Sequence, residues 1–100
     1  MITAQLELTE LLEKEVLPTL HYPQTDVLPD PIERTARRRE ADRAMALGNN
    51  YHGKVDIYFK TIDGQSHRVY TTVWAISNEH ITLKSGTTMP MRAVVMFDFY

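Results

Sequence analysis

From Lys54 to Tyr100 apolar and polar positions alternate almost without interruption, KVDIYFKTIDGQSHRVYTTVWAI followed by HITLKSGTTMPMRAVVMFDFY. A period of two carried by short β-branched and aromatic runs marks strands with one buried face. Asp63-Gly64 and Ser85-Gly86 punctuate the run as turns. The pattern predicts five short antiparallel strands, bent into a small barrel. Pro90 confines the fourth, Thr87–Met91, to an edge or a corner, because proline cannot donate to a ladder.

The register of the first hairpin follows from which side chains must share a face. A two-residue turn at Asp63-Gly64 sets Ile57 opposite Tyr70. A three-residue loop, Ile62-Asp63-Gly64 with Gly64 left-handed, instead sets Ile57 opposite Val69 and Val55 opposite Thr71. The second choice gathers Val55, Ile57, Phe59, Val69, Val73 and Ala75 on one side and is preferred, since a one-residue slip would turn every side chain to the other face. It predicts that Gly64 tolerates a β-branched side chain less well than Gly53. The expected core is Val55, Ile57, Phe59, Val69, Val73, Ile81, Leu83, Val95 and Phe97.

Ahead of the strands the period changes. Asp30-Pro31-Ile32-Glu33 combines an N-cap carboxylate, proline at the first helical position and an acid at the third, and Gly48-Asn49 offers a stop. The helix between them has a narrow face of small groups, Ala41, Ala44, Met45 and Gly48. Nearer the N-terminus, Leu8, Leu11, Leu12 and Val16 fall on one helical face. A helix from about residue 4 to Leu17 is expected, ended by Pro18, with a strand over 2–8 as the alternative. Residues 19–29 have no period and read as an extended linker. The chain thus divides into an acidic helical arm and linker, 1–29, and a helix-plus-barrel domain, 30–100.

One hundred residues of ordinary globular composition suffice for a single core, and no run approaches the roughly 20 apolar residues of a membrane span. A formal charge of −2 excludes a bulk pull towards nucleic acid or anionic membrane. That charge is uneven, because residues 1–29 carry five acids against one base while the remainder is near neutral. Absence of cysteine removes disulfides and thiolate chemistry and fits a cytoplasmic protein.

Two constellations carry candidate chemistry. Arg37 and Arg38, amid Arg34, Arg39 and Arg43, could clamp phosphate, although interleaved acids make a solvated, self-neutralised helix the simpler reading. Tyr58, Tyr70 and Trp74 share the outer hairpin face with Lys60 and Arg68. Such a face either stacks single-stranded nucleic acid or is covered by protein, and cover is favoured because large apolar area rarely stays exposed. His21, His52, His67 and His80 match no metal spacing, and no serine sits in an activating loop. No catalytic residue, metal, cofactor or small-molecule substrate is expected.

The capped helix, the I-T-L-K strand, M-P-M, a short 3₁₀ turn at Arg92-Ala93 and a closing apolar strand resemble the Sm-like and SH3-like small barrels. The run GNNYHGKVDIYF…TTVWAI…ITLKSGTTMPMRAVV is also similar to a group of short bacterial proteins of helix-plus-barrel form. The resemblance implies self-association through strand edges. Met89-Pro90-Met91-Arg92 stands where Sm proteins carry their RNA-contacting signature, so no RNA-binding residue is carried over. The expected function is a non-enzymatic, self-associating interaction module, with single-stranded RNA binding as the alternative.

Overall fold

The first hairpin takes the register that puts its apolar residues on one side. Strand β2 (Val55–Lys60) pairs with β3 (Ser66–Thr71) so that Ile57 faces Val69 and Val55 faces Thr71. Ile62-Asp63-Gly64 forms the loop, closed by the Thr61 N–H on the Gln65 carbonyl and by the Gly64 N–H on the Thr61 carbonyl. Gly64 has φ +85°, the left-handed region that a side chain resists.

The structure is a computed structural model that describes residues 9–99. Among them are one long helix, α1 (Pro31–Tyr51), and seven strands in two sheets, an α+β fold. The remaining strands are β1 (Glu10–Leu12), β4 (Val73–Ile76), β5 (His80–Leu83), β6 (Thr88–Pro90) and β7 (Val94–Asp98). One sheet has the order β1-β3-β2-β7 and the other β4-β5-β6. The expected five-stranded closed barrel is therefore corrected on two counts. Thr72 interrupts what the alternation read as one strand, sending β3 into one sheet and β4 into the other. β1 is an added strand, parallel to β3, in a segment expected to be helical. No ladder joins the sheets among the described residues. They are linked by the chain at Thr72 and by the 3₁₀ turn Met91–Ala93.

The N-terminal helix is corrected as well. Its leucine spacing fits a helical face, yet Leu11 and Val16 are exposed. A short isolated helix is marginal in water, and the segment gains more as β1 on the β3 edge, followed by a 3₁₀ turn (Lys14–Thr19) that buries Leu17 completely. The part of that expectation over residues 4–8, and the alternative strand at 2–8, lie outside the described residues.

Helix α1 begins as its sequence predicts, with the Asp30 carboxylate accepting from the Ile32 N–H at 2.9 Å. It does not stop at Gly48. It runs on to Tyr51, and His52 takes the left-handed cap at φ +54°. Gly48 serves another purpose, since a Cβ there would lie 2.3 Å from the Val73 carbonyl oxygen and 2.9 Å from Thr72 Cγ2. Ten residues earlier, Arg38 reaches Asn78 just beyond β4. Those ten helical residues rise about 15 Å, and the five strand residues from Val73 to Asn78 span about 17 Å. The helix thus lies antiparallel along β4, burying Ala41 and Ala44.

The core contains every expected member except Val95. A bulge opposite Tyr58 and Phe59 leaves Val95 as the extra residue of β7, so Val94 shares the inner face with Phe97. Leu17, Met89, Met91 and Ala93 complete the core. Gly53 also resists substitution, because a Cβ would approach Leu47 Cγ to 2.6 Å, so the contrast with Gly64 is not one of strain against freedom.

Gly48→Ala should lower stability by about 1–3 kcal/mol through overpacking, while the exposed neighbour Asn49→Ala should stay within about 0.5 kcal/mol. Chemical denaturation midpoints measure both, and equal midpoints would contradict the close approach of α1 to β4.

Candidate functional site

Alternation along β2 sends Asp56, Tyr58 and Lys60 to the face opposite the core, with Tyr70, Arg68 and Ser66 as their cross-strand partners. Four of the expected binding residues, Tyr58, Lys60, Arg68 and Tyr70, therefore do share a face. That face is less basic than expected. Asp56 is buried and accepts a hydrogen bond from Arg68 Nη1 at 3.1 Å, and its partner on β7 is Asp98. Burial, with Asp56 and Asp98 adding to it and Arg68 opposing, pushes the Tyr58 hydroxyl above its usual range. The parity of Asp56 with Tyr58 was visible in the chain and carried this signal.

Trp74 is not part of that face. It lies in β4, in the second sheet, at a bulge between Val73 and Ala75. Trp74 and Tyr70 are each nearly half exposed, at 47% and 46%, and Leu11 is 52% exposed. Tyr70, at the end of the outer face, also lines a cleft of about 320 Å³ beside β1, where Leu11, Leu12 and Glu13 meet Lys14, Lys54 and Lys84. Lys54 Nζ stands 5.5 Å from the Tyr70 ring centroid, a cation–π contact. Sequence reasoning missed this cleft because it placed Leu11, Leu12 and Lys14 on a helix.

Arg37 and Arg38 have separate fates. Arg37 is buried, with its guanidinium bridging three parts of the chain. Nη1 and Nη2 donate to the two oxygens of Asp26 at 2.8 and 2.7 Å, and Nη1 also donates to the Val94 carbonyl at 2.9 Å. Its Nε–H, closed off from solvent, has no acceptor. Burial pushes the Asp26 carboxyl up, but the Arg37 hydrogen bonds, the Leu28 N–H and the charges of Arg37 and Arg34 outweigh it and hold the carboxyl below its ordinary value. Arg38 is a surface residue, fixed by Asp42 at 3.2 Å and by Asn78 Oδ1 at 2.9 Å. The expected set thus falls into three places: the outer sheet face, the bulge of β4 and the N-terminal half of α1.

The Thr61 hydroxyl, beside a histidine, is not an activated nucleophile. Thr61 Oγ1 commits its proton to Asp63 at 2.6 Å, so His67 Nε2, 3.1 Å away, must donate to that oxygen rather than accept from it. Proton flow in that direction closes a turn and is opposite to what a base–nucleophile pair needs. Among the described residues no three His, Asp or Glu side chains converge on a metal-binding position. No helix among them is long and apolar enough to cross a membrane.

The Asp26–Arg37 pair yields a pH-dependent test. A depressed folded-state pKa means that the pair stabilises above the unfolded value of 3.8, and that this contribution is lost as pH falls through the lower folded value. Asp26→Asn should cost about 3 kcal/mol at neutral pH, the low end for breaking a buried pair, since Asp26 keeps some contact with water. Its acid-denaturation profile should be flatter than that of the wild type below about pH 4. Urea midpoints against pH measure both effects. No protein-family model, curated protein or solved structure matches the chain.

Proposed function

We propose that the protein is a non-enzymatic interaction module that self-associates through β1 and the adjoining lysine-lined cleft. The carrying observation is the unequal treatment of the two edges of the β1-β3-β2-β7 sheet. At β7, Arg37 occupies the Val94 carbonyl and the Glu40 carboxylate accepts from the Phe97 N–H at 3.3 Å, so helix side chains cap the backbone. At β1, no strand among the described residues pairs with the outer edge, and Leu11, opposite Arg68 on the outer face, is half exposed. An uncapped edge with an exposed leucine is a template for another strand.

A second copy is the partner that the charges favour. The β1 segment carries Glu10 and Glu13, with Glu15 paired to Lys14 at 3.0 Å, while the cleft that Glu13 also lines carries Lys54 and Lys84. Two such surfaces related by a twofold axis set acids of one copy against lysines of the other, and isologous pairing demands such self-complementarity. We read the continuous path β7-β2-β3, through Thr72 to β4-β5-β6, as an opened small barrel of the Sm/SH3 kind, in which edge pairing is the natural mode of assembly.

Deleting residues 1–29 is a poor test, because it removes the fully buried Leu17 and the Asp26 partner of Arg37. Point changes at the surface are cleaner. Light scattering at about 100 µM, where a micromolar association is nearly complete, should give a dimer that weakens with salt. Leu11→Asp, and Lys54→Glu with Lys84→Glu, should return it to monomer with unchanged circular dichroism. A monomeric wild type, or a dimer indifferent to Leu11→Asp, would refute the reading.

A further inference from the structure

We propose that the N-terminal half of α1 and the β4–β5 turn form a binding site for the phosphate group of a small ligand. The site is a groove of about 350 Å³ whose walls include Arg34, Arg38, Arg39 and Asn78, with Met91 also lining it. Residues four apart on a helix are neighbours on its surface, so Arg34 and Arg38 lie one turn apart and Arg39 flanks them. A volume near 300 Å³ is the lower end for small-molecule sites.

No carboxylate is among the residues lining this groove, which is unusual in a helix where acids and bases alternate. Charge pairing shows how much positive charge is left over. Arg37, which also lines the groove, is cancelled by Asp26. Arg38 is partly offset by Asp42 through Nε, while Asn78 holds Nη1 and leaves Nη2 without a protein partner. Arg34 donates through Nη2 to the Pro29 carbonyl, which fixes its direction without reducing its charge. Arg39 has no partner among the described residues. One unpaired guanidinium group, Arg39, and two partly compensated ones, Arg34 by the nearby Asp26 charge and Arg38 by Asp42, match a phosphate dianion. Two of the three are held in place by hydrogen bonds before any ligand arrives, which lowers the entropy lost on binding.

The extent of the positive charge favours a small ligand over a polymer. Towards Arg92 the groove adjoins a cleft lined by Asp26 and Glu79, and along the helix Asp30, Glu33 and Asp42 follow on either side. A track for single-stranded nucleic acid needs basic residues that continue with the backbone, and stacking aromatics beside them. Here the basic patch ends within two helical turns, and no aromatic residue lines it. The site is separate from the β1 edge, so dimerisation and phosphate binding can fail independently.

Isothermal titration of the full chain with inorganic pyrophosphate at low salt tests the site, with a single-stranded oligonucleotide as the second arm. Charge-assisted hydrogen bonds from the three forks set the expected affinity at about millimolar at low salt. The double variant Arg34→Gln, Arg39→Gln should weaken pyrophosphate binding by about tenfold or more. Arg43→Gln should leave it unchanged, because the Arg43 guanidinium lies 4.0 Å over the Phe99 ring, outside the groove. Arg39→Gln alone, which removes no contact of the fold, should give part of the loss and so separates binding from folding. Absence of wild-type binding, equal loss in Arg43→Gln, or binding of the oligonucleotide without pyrophosphate would each overturn the proposal.

Discussion

One guanidinium group ties together three segments that lie far apart in this chain. Arg37 projects from α1, pairs with Asp26 in the linker and binds the Val94 carbonyl at the start of β7. Three segments far apart in sequence meet at a single charged side chain that water scarcely reaches. Burying such a charge is costly unless it is paired and hydrogen-bonded, and an imperfect arrangement would be worse than an apolar one. With no disulfide available, this contact and the close seating of Gly48 on β4 hold the helix at its two ends. Between them the buried residues of the helix are Ala41 and Ala44, which contribute proximity more than buried area.

The linker is ordered by the same economy of few contacts. The His21 carbonyl accepts from the Ile62 N–H at 2.8 Å, and the Pro23 carbonyl accepts from Arg92 Nε at 2.6 Å. Tyr22 places its ring 6.1 Å from that of Phe59, and its hydroxyl donates to the Leu17 carbonyl at 2.7 Å. Burial of that hydroxyl pushes its pKa up to about 12, so the donor stays protonated throughout the physiological range. A segment without periodicity is thus pinned at intervals of a few residues, and prolines limit its freedom in between.

Where neighbouring residues decide the conformation, the chain could be read directly. The β2–β3 register, the left-handed Gly64, the Asp30 cap and nearly all of the strand core follow from alternation and turn chemistry. The misreadings arise where a distant partner decides. Leu11 and Leu12 have helical spacing, but the open edge of β3 offered them a ladder. Gly48 looks like a helix stop until Val73 is set against it. Val95 has the right parity for the core until a bulge shifts its strand by one residue. The candidate site suffers from the same limit. Tyr58 and Tyr70 could be placed on one face by counting, whereas Trp74 left it at Thr72, and Arg37 left the surface because Asp26 was eleven residues away along an aperiodic linker.

The capping of β7 by helix side chains has a consequence for how this fold can fail. A strand edge is usually protected by another strand, through a ladder that opens one rung at a time. Here the protectors, Arg37 and Glu40, ride on α1, so they leave together if the helix lifts. The same event strands the Asp26 carboxylate and exposes the inner face that Ala41 and Ala44 cover. Undocking of one helix and unmasking of an aggregation-prone edge are therefore a single step. At the β7 edge, resistance to misassembly depends on a salt bridge that acid weakens.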